Sequence, residues 1–225
     1  MSADIDMYCA QAIRFRVADG RSRGRAMRVA RTLLTCRVAA AALNGLGVPP
    51  ESGSSYRFVN IFNPTCPLVF DMASALWCCE PALAQLPVWC INWAGANLIC
   101  RYLHARLPNE HEWEALASNN EPGRIFPWGD APPTKDLANF AEHFGGPTEV
   151  LRFAASDLGL HDLAGNLAEW CADADDTAGN GRGVDRIVKG GAWSKDASQL
   201  EISSHRSKWA RLGTTTIGLR PVWDD

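Results

Sequence analysis

Residues 105–114 read ARLPNEHEWE, three glutamates and a tryptophan directly after an Arg-Leu-Pro turn. Paired acids can divide general acid and base work between them, so Glu110, Glu112 and Glu114 invite a catalytic reading. Their spacing argues for scaffold instead. Asn109 is a good helix N-cap and Glu112 lies three residues on, the capping-box arrangement in which each side chain satisfies a backbone N–H. Trp113, Leu116 and Ala117 then share one helical face, while acids crowd the first turn, where the helix dipole favours them. The spacing predicts a helix over 110–118 with its tryptophan turned to the core.

The same periodicity extends upstream. Residues 93–104 place Trp93, Ala96, Cys100 and Leu103 on one stripe, a second helix. From Arg25 to Leu46, Val29, Leu33, Cys36, Ala40 and Leu43 recur at steps of four and three, which predicts a long helix. The alternative has Thr35 capping a shorter helix from Cys36, with the segment before it extended. The run YRFVNIF (56–62) predicts a short strand stopped by Asn63-Pro64. RIVKGGAW (186–193) and TTIGLRPVW (215–223) predict two strands flanking a helical or irregular crossover. Between them and the helix at 110–118, the chain is dense in Gly, Pro, Asn and Asp yet keeps Phe126, Trp128, Phe140, Phe144, Leu160 and Trp170. Such a stretch is too aromatic for a linker and reads as ordered loops held by buried rings.

A chain of 225 residues with 47% hydrophobic composition can bury one sizeable core, so a single domain is expected. The net charge of −3 gives no overall attraction to nucleic acid. The start of the chain is locally basic, with Arg14, Arg16, Arg21, Arg23, Arg25, Arg28, Arg31 and Arg37, and a solvated basic helix is the expectation there. No run of about 18 apolar residues suggests a membrane span. The first residues lack the basic-then-apolar order of a secretory signal, so a cytoplasmic protein is expected. Most of its eight cysteines then read as buried apolar thiols rather than a disulfide framework, and Cys78-Cys79 lacks zinc-site spacing.

Taken in order, PVWCINWAGANLICRYLHARLPNEHEWEAL (87–116), FPWGD (126–130), LANF (137–140), LGLHDLAGNLAEWCAD (158–173), RIVKGGAW and IGLRPV (217–222) resemble the formylglycine-generating-enzyme, or sulfatase-modifying-factor, superfamily. LLTCRVAAAALNGLG (33–47) and VNIFNPTCPLVF (59–70) extend the likeness more weakly. The resemblance implies an α+β, modified C-type-lectin-like fold with long irregular loops over residues 32–225, preceded by a divergent basic segment, 1–31. It also implies that Arg106, Glu110, Glu112 and Glu114 tie loops and helix ends together, as do Gly165, Asn166, Glu169 and Trp170. Gly190-Gly191-Ala192-Trp193 becomes the strand leading to the active surface, where glycine permits close backbone approach.

Two departures bear on function. Formylglycine-generating enzymes hold copper(I) with two cysteines after this strand, soft thiolates suiting that ion; here Lys195 and Leu200 occupy those places, so copper is not expected. The iron-dependent relatives rely on histidines of an added helical domain, whereas His104, His111, His143, His161 and His205 are scattered, and iron stays unassigned. Structural calcium fits the resemblance better. One oxygen set comprises Asn139, the Phe140 carbonyl, Glu142 and the Phe144 carbonyl; a second comprises Ser156, Asp157 and the Gly159 and His161 carbonyls. Metal-free loops are the alternative.

The remaining pocket candidates lie after Trp193, in WSKDASQLEISSHRSKWARLGTTT (193–216). His205 and Asp196 are the candidate acid–base pair, and Trp193, Lys195, Arg206, Trp209 and Arg211 the candidate substrate-binding residues, since aromatic faces and guanidinium donors suit anionic or planar small molecules. For Arg206 a structural place under the sheet is the competing expectation. The expected function is tailoring of an amino-acid-derived or natural-product metabolite, with a non-catalytic ligand-binding or accessory module as the alternative. A small molecule, with a partner enzyme, is the expected contact; membrane and nucleic acid are not.

Overall fold

The computed structural model describes residues 2–18, 24–50, 55–175 and 184–225. Helix α1 spans Ala3–Ala10, followed by strands β1 (Ile13–Arg16) and β2 (Ala26–Val29), helix α2 (Cys36–Gly45), and the hairpin of β3 (Val69–Asp71) and β4 (Leu76–Cys78). Helices α3 (Trp93–Tyr102) and α4 (Glu110–Ser118) come next. The C-terminal part carries β5 (Ala168–Asp175), β6 (Asp185–Lys189), β7 (Arg206–Trp209), β8 (Ile217–Gly218) and β9 (Val222–Asp224). Described strands form sheets ordered β1-β2-β9, β3-β4 and β7-β6-β5-β8, antiparallel throughout except for the parallel β5–β8 pair. This is the mixed α+β, lectin-like plan implied by the motifs.

Helix α4 forms as its spacing predicts. Glu112 N–H donates to Asn109 Oδ1 at 2.8 Å and Asn109 N–H to Glu112 Oε2 at 2.9 Å, a complete capping box. Glu112 also receives the Arg106 guanidinium through both oxygens, at 2.6 and 2.8 Å, and Arg106 reaches Asp224 on β9 at 2.7 Å. The signature therefore fastens the entry of α4 to the last strand.

Two periodic readings need correction. The helix begins at Cys36, with Val38 N–H donating to Thr35 Oγ1, and not at Arg25. Residues 26–29 are extended, and the buried Ala30, Leu33 and Leu34 of the connecting segment happen to continue the helical spacing. Among the described residues, the stretch 56–62 forms no strand, and Val59 bridges to Ile91. Its carbonyls serve α3 instead: Phe58 accepts from the backbone of the cap residue Asn92, and Arg57 from that residue's side chain.

The N-terminal arginines also adopt a different form. Arg14 and Arg28 face each other across β1 and β2, Arg25 pairs with Asp224 at 2.7 Å, and Arg28 with Asp225 at 3.5 Å. A boundary at 31/32 runs between β2 and α2, and Ile5, Phe15, Met27 and Val29 on its N-terminal side are buried. Arg21 and Arg23 lie outside the described residues.

At the centre, Glu169 on β5 accepts from Arg220 Nη2 at 2.8 Å and Nε at 3.0 Å, and from Trp113 Nε1 at 2.9 Å. Arg220 spends its other donors on the Ala30 and His161 carbonyls, at 3.0 and 2.6 Å. All three side chains are essentially without solvent exposure. Removing a fully buried tryptophan costs about 3–5 kcal/mol, so Trp113→Ala is expected to lose that much in urea unfolding, whereas Lys195→Ala stays within about 0.5 kcal/mol of the parent. A small loss for Trp113→Ala would move that ring out of the core.

Candidate functional site

Strand β6 ends in Gly190-Gly191, where the chain must turn sharply to form the site. Gly190 has φ +90° and Gly191 φ +68°, and a Cβ on either would lie 2.8 Å from the Leu163 carbonyl oxygen or 2.7 Å from that of Gln199. Glycine is therefore required on steric as well as conformational grounds. The chain then passes Lys195 and a 3₁₀ turn, Ala197–Leu200, that brings Gln199 back over Gly191. Strand β7 follows, an edge strand hidden within the segment expected to be an irregular crossover. Its register sets Arg206 opposite Val188 and Lys208 opposite Arg186.

These elements enclose a cavity of about 380 Å³. Its apolar wall includes Ala168, Val188, Ala192 and Ile217; its polar groups are Lys195, Gln199, Ser204, Arg206, Lys208 and Thr216. Three cations thus meet with no carboxylate, thiol or imidazole side chain among the described lining residues. None of the three has an ion-pair partner among the described residues.

Of the residues singled out from sequence, Lys195 and Arg206 line this cavity. Arg206 is exposed; the arginine buried under the sheet is Arg220. His205 is turned elsewhere, its Nδ1 2.8 Å from Glu110 Oε1 and its Nε2 3.7 Å from Asp175 Oδ2. Glu110 is shared with the fully buried Lys189, whose Nζ lies 3.3 Å from it and 2.6 Å from Glu114. Asp196 is exposed at the start of the 3₁₀ turn. Trp193 donates its indole N–H to the Thr215 carbonyl at 3.0 Å and is part of the packing rather than of the cavity lining. Trp209 and Arg211 are exposed and away from the lining. Strand alternation is the signal that groups Arg206 with Lys208 and separates both from His205, because neighbours along a strand point to opposite faces. Ser204 continues that alternation by one step, whereas Gln199 and Thr216 carry no such signal.

The metal candidates divide. Asn139 is buried, its amide N–H₂ held by the Gly146 carbonyl at 2.9 Å and its Oδ1 without a partner. With the Phe140 and Phe144 carbonyls and the exposed Glu142, this loop presents an all-oxygen donor set that fits calcium. The second set does not fit a dication. Asp157 is ion-paired with Arg124 at 2.8 Å and the His161 carbonyl accepts from Arg220, so guanidinium groups already supply the positive charge, although Ser156 Oγ is buried without a partner. Gly159 belongs to that loop, its N–H donating to the Ser156 carbonyl at 2.8 Å. At the positions of the copper thiolates, Lys195 borders the cavity and Leu200 is fully buried in an apolar cluster. Among the described residues no three His, Cys, Asp or Glu side chains are grouped to hold a metal ion. No helix of the described residues is long and apolar enough to cross a membrane.

Comparison with known proteins bears on the family and the fold. The chain is 33% identical over 150 residues to the serine/threonine-protein kinase Pkn1 of Chlamydia trachomatis, covering 60% of this chain and 24% of that protein. It is 32% identical over 145 residues to the inactive Cα-formylglycine-generating enzyme 2 of Mus musculus, covering 58% and 45%. The chain thus spans less than half the length of these curated relatives. The solved structure of PvdO from Pseudomonas aeruginosa shares the fold with a TM-score of 0.67 at 16% identity, over 95% of this chain and 91% of that one. Residues 74–225 match the sulfatase-modifying factor enzyme 1-like domain, and with most of its length inside that match the chain belongs to the sulfatase-modifying factor family.

Proposed function

We propose that this protein recognises a small anionic metabolite, of amino-acid or natural-product origin, in the cavity beside β6 and β7, as a ligand-binding or accessory member of its family. The observation that carries this reading is the convergence of Lys195, Arg206 and Lys208 on a partly apolar cavity with no carboxylate among its described lining residues. A guanidinium offers a planar fork to carboxylate or phosphate, the ammonium groups add point charge, and the Val188 and Ile217 wall accepts an apolar body. The described lining contains no thiolate for copper and no imidazole or carboxylate for proton transfer, which favours recognition over formylglycine chemistry.

Calorimetric titration with carboxylate, phosphate and sulfate metabolites is expected to give saturable binding to at least one class. Arg206→Ala and Lys195→Ala are each expected to weaken it tenfold or more, equivalent to about 1.4 kcal/mol, without loss of fold. Affinity undiminished in both variants would place the ligand elsewhere.

A tailoring enzyme is the second reading, and one observation favours it. The half-exposed His205 imidazole is held by Glu110 at 2.8 Å, and a positioned imidazole is a common general base. That reading puts proton transfer at α4, away from the cationic cavity. His205→Ala would then abolish turnover of a metabolite that Lys195→Ala still converts.

For calcium we propose the Asn139 loop alone. Because a ligand bound only by the folded state stabilises it by mass action, a chelator should lower the melting temperature of the parent and added calcium restore it. Asn139→Ala should melt lower and no longer respond to either. An identical response in the parent and the variant would count against the loop.

A further inference from the structure

Strands β1, β2 and β9 turn one face of their sheet into the core through Phe15, Met27, Val29 and Val222. The opposite face gathers arginines. Arg14 lies directly opposite Arg28, Arg16 follows two residues along β1, and Trp223 stands beside Arg28 on β9. Because Val17 N–H donates to the Arg25 carbonyl at 3.0 Å, alternation makes Arg14–Arg28 a non-hydrogen-bonded pair, the arrangement in which facing side chains come closest. Like charges directly opposite one another destabilise a sheet. Little in the described structure offsets that cost. Arg14 is exposed and has no carboxylate partner among the described residues. Arg16, also exposed, donates to the Gly24 carbonyl at 2.6 Å rather than to an acid. Arg28 packs 5.6 Å from the Trp223 ring centroid, and its 3.5 Å contact with Asp225 joins two partly exposed groups, a weak pairing. Asp224 is already shared by Arg25 and Arg106.

We propose that Arg14, Arg16 and Arg28 are a docking face for an extended acidic segment of a partner protein. Charge complementarity chooses the partner, and the strand sets its form. Residues two apart on a strand are roughly 6.7 Å apart on one face, and alternate side chains of an extended chain repeat at the same interval. Carboxylates at every second position would therefore meet Arg14 and Arg16 in turn, with Arg28 reached across the sheet. Each guanidinium can take a carboxylate through two parallel N–H donors. A carboxylate placed between Arg14 and Arg28 also removes their repulsion, so the stability that the free sheet forgoes is recovered on binding. Nucleic acid fits less well. Single strands are bound by stacking their bases on aromatic rings, and the ring on this face, Trp223, is buried with Arg28 over it. The net charge of −3 adds no general attraction for a phosphate backbone. The face lies apart from the cavity of Lys195, Arg206 and Lys208, which is built on the β7-β6-β5-β8 sheet, and does not depend on what that cavity binds.

The test follows the fluorescence anisotropy of a labelled peptide that alternates glutamate and threonine, titrated with the 225-residue chain at low ionic strength. Saturable binding that added salt weakens is expected, and it should persist in a variant carrying Lys195→Ala, Arg206→Ala and Lys208→Ala together. Arg14→Thr should weaken it about fivefold or more, and Arg14→Glu should abolish it. Without peptide, Arg14→Thr is expected to melt above the parent, because it removes the like-charge contact and puts a good strand former in its place. An arginine kept for the scaffold would give the opposite shift. Arg16→Thr, which leaves the opposed pair intact, should weaken binding without that gain. No binding by the parent, equal binding by parent and Arg14→Glu, or binding lost in the triple cavity variant would overturn the assignment. So would a polyuridine probe bound more tightly than the peptide, or a lower melting temperature for Arg14→Thr.

Discussion

The carboxylate of Glu169 and the guanidinium of Arg220 face each other with almost no water access, and the rest of the structure is arranged around that fact. A buried charge is tolerated only when paired and fully hydrogen-bonded. Glu169 meets this condition with Arg220 and the Trp113 indole; Arg220 adds the carbonyls of Ala30 and His161. Each partner comes from a different part of the chain: α4, β5, the connection from β2 to α2, the loop at His161 and the link between β8 and β9. One ion pair therefore fixes the relative position of segments that share little regular secondary structure. Lys189 repeats the arrangement on a smaller scale, its ammonium closed in by Glu110 and Glu114.

This division of charge explains why the acids of the opening motif are not the site. Glu110, Glu112 and Glu114 are committed to Lys189, His205 and Arg106, whereas Lys195, Arg206 and Lys208, on the other side of β6 and β7, have no ion-pair partner among the described residues. Compensated charge builds the scaffold, and uncompensated charge of one sign, gathered over an apolar wall, is available to a ligand. The glycines at the end of β6 connect the two, since only they allow the backbone to pass under Leu163 and Gln199 into the cavity wall.

Much of the scaffold was legible because its signals are local. The Asn109–Glu112 box, the stripe on α3 and the order of short motifs each rest on spacing within a few residues. The long helix at 25–46 and the strand at 56–62 went wrong where tertiary packing decided: buried loop residues copied a helical period, and a β-rich run used its carbonyls to cap α3. The site was legible only in composition. Cations and a histidine after Trp193 were visible, but their grouping depends on a short edge strand, β7, that sends Arg206 and Lys208 one way while Glu110 holds His205 at the other. Arg220 was missed as the buried arginine because nothing local distinguishes it from Arg206; its partner lies 51 residues away.

The central claim, that the Glu169–Arg220 pair organises the fold, is tested most directly by a double-mutant cycle. Glu169→Gln, Arg220→Met and the double variant would be compared with the parent by urea unfolding. Each single change strands a buried charge and is expected to cost about 3–5 kcal/mol. The double change should cost clearly less than the sum of the two, a coupling of roughly 2 kcal/mol or more. Additive losses, or single variants each within about 1 kcal/mol of the parent, would contradict the account.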